Sequence, residues 1–271
     1  SGPTQRRSSM TFSNKTPVIA FEGGDAAGKA TQTALLNEWL AQAHQVKAAT
    51  LSFPNYSLPS GPAIKNTLMH PDGVSIHRRC VMYALDRQAS MPTVVSEIKL
   101  GATVVVFDRY IGSMMIYGKA LLEEAHLKSK KQQHSAAGKP FDLEQEMLFV
   151  HNETYNRKQK LWEFISTLEL DACGLPPVDL QICLVSSAKA SWDNTNKRGE
   201  AIDTNESNTL LQVLVNRSLE QFTSQASFGV VKTNIIINCL DKQGDMRSVI
   251  DIHREIINHP LFSKFCHDSF N

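Results

Sequence analysis

A glycine-rich turn that ends in a lysine is the stretch whose residue types most directly suggest chemistry. Residues 23–29 read Gly-Gly-Asp-Ala-Ala-Gly-Lys. When such a turn opens a helix, its consecutive backbone N–H groups point inward and cradle phosphate oxygens. Glycine lets the backbone approach the anion without a Cβ clash, and Lys29 would reach the outer phosphates as a point charge. The turn therefore predicts a binding site for the phosphates of a nucleotide.

One position departs from the usual phosphate-loop pattern. That pattern places Ser or Thr directly after the lysine, where the hydroxyl binds magnesium. Here the position holds Ala30, and Thr31 follows. A glycine turn of this kind can also arise by chance, but a predicted strand before it and a predicted helix after it favour the functional interpretation. We expect Thr31 or a water molecule to replace the missing Mg²⁺ ligand.

The elements that position this turn are predicted from hydrophobic periodicity. Residues 18–21 form an apolar run of the length of a buried strand, and apolar residues recur on one helix face over 35–40. Similar strands are predicted over 46–53, 103–107, 178–185 and 234–239, with helical patterns between them. This alternation predicts an α/β fold, a P-loop NTPase-type doubly wound five-stranded parallel sheet flanked by helices. Ligands of such sheets bind outside the carboxyl ends of the strands.

Two predicted features follow strands at that end. Asp108 comes directly after the strand predicted over 103–107, where a Walker-B-like carboxylate would bind magnesium through water. The alternative for Asp108 is an N-cap of the next helix, and Arg109 beside it favours the functional interpretation. The polar stretch 189–208 follows the strand predicted over 178–185, and we predict a mobile lid there.

Composition narrows the class of protein and its partners. The chain has 271 residues, 42% of them hydrophobic, and a formal charge of +1, which predicts a sizeable core and neither a nucleic-acid-binding nor a membrane-binding surface. The five cysteines lack disulfide or metal spacing, so we expect reduced thiols in a cytoplasmic protein. The polar N-terminus lacks the apolar segment of a secretory signal.

The chain reads as one domain with two irregular regions. Residues 1–16 are predicted to be a disordered tail, and residues 17–271 a single domain. Residues 119–160, rich in Lys, Gln, Glu and His, are predicted to be an exposed helical insertion. His126, His134 and His151 within it would be a metal cluster or isolated surface histidines, and we favour the second interpretation.

Several further segments occur in an order that is specific when they are taken together. They read FEGGDAAGKATQ, FPNY, ALDR, DRYIGS, GLPPVD and KRGE with DTNE, over residues 17 to about 210. In these segments the chain resembles the thymidylate kinases, a family of P-loop nucleoside monophosphate kinases. The resemblance implies transfer of the γ-phosphoryl group of ATP to dTMP, giving dTDP and ADP for dTTP biosynthesis. It also implies Mg²⁺ as cofactor and a homodimer.

The same resemblance implies roles for individual residues. ATP would contact Gly23, Gly24, Ala26, Ala27, Gly28, Lys29, Ala30 and Thr31. The acceptor dTMP would contact Asp25, Phe53, Pro54, Tyr56, Tyr83, Arg87, Arg109, Ser113 and Tyr117. Lys29, Asp25 and Arg109 would be catalytic, with Arg109 bridging the dTMP phosphate and the transferred group, and Arg87 would grip either thymine or the acceptor phosphate. Magnesium would be held by Asp108 and Thr31, through water.

The predicted lid provides the remaining catalytic assignments. Lys197 and Arg198 would be its catalytic cations, and a solvated basic loop is the alternative. Two other functions also stay open: another P-loop nucleoside or nucleotide kinase, and a nucleotide-binding homologue without kinase activity, for which Ala30 would mark lost metal chemistry.

Overall fold

A computed structural model describes residues 16–69, 73–187 and 209–270 of the chain. The predicted tail, apart from Thr16, and the predicted lid with Lys197 and Arg198 lie outside the described residues. The tail and the lid therefore stay predictions from the sequence.

Five parallel strands form the single sheet of the described residues, as predicted. They are β1 (Val18–Gly23), β2 (Ala48–Ser52), β3 (Val104–Asp108), β4 (Val178–Val185) and β5 (Val231–Asn238). The order across the sheet is β2-β3-β1-β4-β5, so β1 lies in the middle between β3 and β4. Every residue of β1 is buried, as expected for a parallel strand covered on both faces.

Helices cover both faces of the sheet and produce two apolar clusters. They are α1 (Lys29–His44), α2 (Gly61–Met69), α3 (Ile76–Lys99), α4 (Ile111–Ala136), α5 (Leu143–Ser166), α6 (Thr209–Glu220), α7 (Val249–Asn258) and α8 (Pro260–Phe270). One cluster joins alternate residues of the strands to α3, α4, α5 and α6, and the other joins the remaining strand residues to α1, α7 and α8. Within α3 the helix continues through Pro92.

The expectation that residues 119–160 are an exposed insertion is wrong for much of α4 and α5. Leu127 and Val150 belong to the main apolar cluster, and Lys119 and Glu123 are buried in an ion pair of 3.0 Å. The indole nitrogen of Trp162 donates to the carbonyl oxygen of Met115 at 2.9 Å. The segment through Leu127 is therefore part of the domain core, together with Val150, Thr154 and Lys158 of α5, whereas residues 128–149 include no buried residue and agree with the expected exposure.

A glycine at the start of α4 determines how closely that helix approaches the sheet. A Cβ atom on Gly112 would lie 2.1 Å from Oε1 of Gln181 and 3.0 Å from Oε1 of Glu22. Real Cβ atoms do not approach other heavy atoms that closely, so only glycine fits between β1 and β4. The close approach carries Ser113 and Tyr117 to the edge of the sheet where β1 ends.

Candidate active site

The glycine turn forms a tight loop between β1 and α1. Ala26 and Gly28 both have left-handed backbone, with φ of 58° and 87°, and α1 begins immediately after Gly28. Gly23 has no room for a side chain, because a Cβ atom there would lie 2.9 Å from the carbonyl oxygen of Leu184. The loop thus presents backbone N–H groups at a helix N-terminus, which is the geometry that binds phosphate.

Lys29 lies across this loop. Its Nζ donates to the carbonyl oxygen of Gly24 at 2.7 Å, and the residue is only 7% exposed. Burial, with the charge of Arg109, lowers the pKa of Lys29 to about 8, although Asp25 and Asp108 oppose the shift. The ammonium group is therefore poorly compensated here, and a phosphate would supply the negative charge that it lacks.

Arg109 connects the loop to the neighbouring strand β3. Its Nη1 donates to the carbonyl oxygen of Gly23 at 3.2 Å and to the hydroxyl of Tyr117 at 3.5 Å, and its Nη2 donates to Oδ1 of Asp25 at 2.5 Å. The residue has left-handed backbone with φ of 64°, which is unusual for a residue other than glycine and recurs at functional sites. Burial disfavours its charge, but Tyr117 and Asp25 outweigh burial and raise the pKa of Arg109.

Asp25 is the point at which three elements meet. Besides Arg109, its Oδ1 accepts from the Tyr117 hydroxyl at 3.2 Å, and its Oδ2 accepts from Nε2 of Gln212 on α6 at 2.9 Å. Burial alone would raise the pKa of Asp25, but Arg109 and Lys29 outweigh it and the pKa is lowered. The carboxylate therefore stays ionised between two cations and fixes Arg109 beside the loop.

The predicted magnesium residues differ in their surroundings. Oδ1 of Asp108 is buried and has no hydrogen-bond partner among the residues that the structure describes. Mg²⁺ prefers oxygen ligands, so a carboxylate oxygen without a protein partner, close to Lys29 and Arg109, could bind Mg²⁺ directly or through water. Ala30 and Thr31 lie exposed on the first turn of α1.

A cavity of about 690 Å³ opens beside the loop and gathers the predicted acceptor residues. It is lined by Asp25, Thr50, Leu51, Ser52, Phe53, Pro54, Asn55, Tyr56, Leu68, Arg79, Tyr83, Arg87, Arg109, Ser113, Met114, Tyr117 and Leu121. All nine residues that the sequence predicted for the acceptor are in this set. Three arginines and one carboxylate in the lining make the cavity a site for an anion with an apolar or aromatic part.

Two further predicted acceptor residues, Arg87 and Ser113, also have protein partners. The buried guanidinium of Arg87 forms an ion pair with the buried carboxylate of Glu169, with Nε donating to Oε2 at 2.9 Å. The hydroxyl of Ser113 donates to Oε2 of Glu22 at the end of β1. Burial raises the pKa of Glu22 despite that hydrogen bond.

Sequence reasoning missed several residues that hold this site together. Asp86 on α3 accepts from the backbone N–H of Asn55 at 2.8 Å and from the Ser60 hydroxyl at 2.7 Å, which fixes the wall that follows Pro54. Its neighbour Arg87 belongs to the same ALDR segment, so the sequence does carry a local signal for Asp86. Gln212 and Glu169 had none, because their partners lie far away in sequence.

The arrangement as a whole joins a polyphosphate loop to an anion-binding cavity, with Arg109 between them. Two anions held on either side of a fixed cation suit phosphoryl transfer, which depends on positioning and charge neutralisation.

Among the described residues no helix is long and apolar enough to cross a membrane, and no group of three or more His, Cys, Asp or Glu side chains forms a metal site.

Comparisons with known proteins agree with this geometry. The family model described as thymidylate kinase matches residues 21–143. The thymidylate kinase of Clavibacter sepedonicus is 38% identical over 36% of this chain and 46% of its own length, so the chain spans about half of that relative. The thymidylate kinase of Mycobacterium tuberculosis is 28% identical over 68% of this chain and 72% of its own.

Solved structures extend the similarity of fold to nearly the whole chain. The thymidylate kinase structure from Candida albicans superposes with a TM-score of 0.56 at 18% identity, covering 92% of this chain and 93% of that one. The structure from Ehrlichia chaffeensis gives a TM-score of 0.51 at 15% identity, covering 89% and 96%. At these identities the superpositions show the shared α/β fold.

Proposed function

We propose that this chain is a member of the thymidylate kinase family and that it transfers the γ-phosphoryl group of ATP to dTMP, giving dTDP and ADP for dTTP biosynthesis. The position of Arg109 is the observation that carries the proposal. It contacts the phosphate loop through Gly23, and it lines the cavity that would hold dTMP. One cation thus faces both the donor and the acceptor.

Each part of the site has its own task in the proposed reaction. Lys29 and the loop amides bind the donor phosphates, and the aromatic and arginine lining of the cavity orients dTMP. Arg109 then stabilises the charge that builds up on the transferred group, while Asp25 keeps its guanidinium in place. Mg²⁺, held at Asp108 through water, would neutralise donor phosphate charge. Lys197 and Arg198 would close over the phosphates from the predicted lid.

An ADP-release assay across acceptors tests the proposal. ATP and Mg²⁺ are held fixed while dTMP, dUMP, dCMP, dGMP and thymidine are compared. We expect selective turnover of dTMP. Selective turnover of a different acceptor would leave a P-loop kinase with another substrate, and nucleotide binding without turnover of any acceptor would indicate a homologue that has lost its chemistry at Ala30.

The low pKa of Lys29 predicts a specific pH dependence of ATP binding. Because this pKa is about 8 in the ligand-free site, Lys29 is charged at neutral pH and loses its proton above pH 8. Phosphate contact favours the charged form, so the Kd for ATP should be flat below about pH 8 and rise by up to about tenfold per unit above it. Titration calorimetry from pH 7 to 9.5 measures this. Lys29→Arg cannot lose its charge in that range and should not show the rise; a flat wild-type profile contradicts the assignment.

We also propose a homodimer in the cytoplasm. Val81 and Leu85, one turn apart on α3, are 40% and 54% exposed, which is unusual for an apolar helix face of a monomer. The five free cysteines suit a reducing compartment. Light scattering at micromolar concentration should give twice the chain mass of 30.1 kDa, and Leu85→Glu should give the single mass. A monomeric mass for the wild type would remove the dimer from the proposal.

A further inference from the structure

Glu22 is a buried carboxylate that lies beside the acceptor cavity without lining it. It is the only charged residue of β1, it directly precedes the glycine turn, and its exposure is 0%. A carboxylate in such a place is strongly disfavoured unless hydrogen bonds or opposite charges replace the lost water. The groups that compensate Glu22 therefore indicate what this carboxylate does.

The N-terminus of α4 provides these groups. Oε1 of Glu22 accepts from the backbone N–H of Tyr110 at 2.9 Å, and Oε2 accepts from the hydroxyl of Ser113. Tyr110 is the N-cap residue of α4, and its own side chain makes no capping hydrogen bond. Glu22 thus does from β1 what an N-cap side chain does within a helix, and its negative charge suits the positive end of the helix dipole. Burial raises the pKa of Glu22, while the hydrogen bonds from Ser113 and Tyr110 and the charge of Arg109 oppose the rise.

The turn that Glu22 holds contains Arg109. Only Arg109 and Tyr110 connect β3 to α4. The backbone N–H of Arg109 donates to the carbonyl oxygen of Phe21 at 2.9 Å, and the next N–H, that of Tyr110, donates to Glu22. Two consecutive amides of the turn are thus bound by two consecutive residues of β1. Arg109 has a φ of 64°, which is unfavourable for a residue other than glycine and persists only where the surroundings hold it.

The side chains of this turn and of the start of α4 are those on which the proposed reaction depends. Arg109 contacts Gly23 and Asp25, and together with Ser113 and Tyr117 it lines the acceptor cavity. Its guanidinium has to face the donor and the acceptor phosphates at once. In reactions of this kind a misplacement of about 1 Å can lower the rate about a hundredfold.

We propose that Glu22 is a positioning residue for phosphoryl transfer. By binding the Tyr110 amide and the Ser113 hydroxyl, its carboxylate holds Arg109 in the left-handed conformation from which the guanidinium faces both nucleotides. The inference rests on the proposed dTMP kinase activity. Because each nucleotide keeps its other contacts when the turn relaxes, loss of the Glu22 carboxylate should lower kcat and leave binding of the single nucleotides nearly unchanged.

Two substitutions of Glu22 test the proposal. Glu22→Met removes both acceptor oxygens at a similar side-chain length, and we expect kcat to fall about a hundredfold while the KM for dTMP changes less than about threefold. Glu22→Gln keeps an oxygen for the Tyr110 amide, so its kcat should be only about three- to tenfold below that of the wild type. Glu163→Met, at an exposed position of α5, is the matched control and should keep wild-type kinetics. A folded Glu22→Met protein with the wild-type kcat, or a Glu22→Gln protein as slow as Glu22→Met, overturns the proposal.

A double-variant cycle separates positioning from a general structural effect. If Glu22 acts through Arg109, Glu22→Met should lower kcat less than about threefold in an Arg109→Ala background, because the group that it positions is absent. A hundredfold loss in both backgrounds contradicts the inference. Should Glu22→Met fail to fold, Glu22→Gln takes its place in the cycle, and its smaller loss of kcat should be absent in the Arg109→Ala background. In that case a wild-type kcat for Glu22→Gln, or a loss that persists without Arg109, overturns the proposal.

Binding measurements distinguish a failure of this inference from a failure of the proposed activity. Calorimetry compares ATP, dTMP and a dinucleotide in which a pentaphosphate chain joins adenosine to thymidine, so that one molecule occupies both sites. We expect Glu22→Met to bind ATP and dTMP with Kd values within about threefold of the wild type, but to bind the dinucleotide about tenfold more weakly, since its chain passes Arg109. Equal affinity of the two proteins for the dinucleotide overturns the inference. A wild type that binds ATP and dTMP but releases no ADP would remove the proposed activity, and the dinucleotide comparison would still decide whether Glu22 positions Arg109.

Discussion

Arg109→Ala should lower kcat about a thousandfold while changing the KM for dTMP much less. The guanidinium lies between the phosphate loop, through Gly23, and the acceptor cavity. An interaction that strengthens as charge builds up on the transferred group contributes to kcat, and removing such a donor typically lowers kcat about 100- to 1000-fold. The Arg109 side chain is only 19% exposed, so water screens its charge incompletely, and we expect the loss of kcat in the upper part of that range.

Steady-state kinetics with saturating ATP measures this loss of kcat. Two further variants serve as comparisons. Arg109→Lys keeps a charge but cannot contact Gly23 and Asp25 together, so it should fall between the wild type and alanine. Arg78→Ala removes an exposed arginine of α3 and should keep wild-type kinetics. Near-normal turnover in Arg109→Ala would show that the clamp is a different residue.

Asp25→Asn should lower kcat about a hundredfold by a different route. Asparagine keeps nearly the same volume and can still contact Gln212 and Tyr117, but it removes the negative charge between Lys29 and Arg109. The two cations then repel each other without compensation, and Arg109 loses the carboxylate that fixes its direction. We expect the loss in kcat to come with a lowered thermal midpoint.

The contrast with ligand binding makes the Asp25 prediction specific. Removing a negative charge beside the loop should leave ATP binding equal or tighter, since the loop becomes more positive. Calorimetry of ATP binding, together with kinetics, therefore separates a lost site from a misaligned one. Asp268→Asn, at an exposed position of α8, is the matched control. Loss of ATP binding in parallel with kcat would mean that Asp25 maintains the loop itself rather than aligning Arg109.

The part of the site that could be predicted is the part built from local sequence. The loop with Lys29, the strand end at Asp108 and Arg109, and the wall at Phe53 each lie within a short motif whose chemistry is visible from neighbouring residues. The doubly wound sheet was predictable for the same reason, because buried parallel strands are short apolar runs between helices.

The rest depends on packing between distant segments. Gln212 contacts Asp25 across 187 positions, and Glu169 contacts Arg87 across 82, so no local pattern marks either residue. The strand predicted over 234–239 begins earlier, at Val231, because β5 is an edge strand whose exposed polar positions hide the pattern. Similarly, α7 is followed by a further helix, α8, which begins at Pro260 and which no strand or helix pattern named above predicts.

The central place of β1 has a consequence for how the chain acquires activity. β1 and its loop are synthesised before their neighbours in the sheet, β3 and β4. They also precede Gln212, whose side-chain amide holds Asp25. Such long-range pairing makes folding slow, and the apolar strand β1 stays unpaired until the neighbouring strands are synthesised. A nascent chain stopped before α6 would already contain the whole glycine turn and Lys29, yet it would lack the contact that locks Asp25. The alignment of Arg109 by Asp25 is thus completed late in folding, although the glycine turn and Lys29 are synthesised before α6.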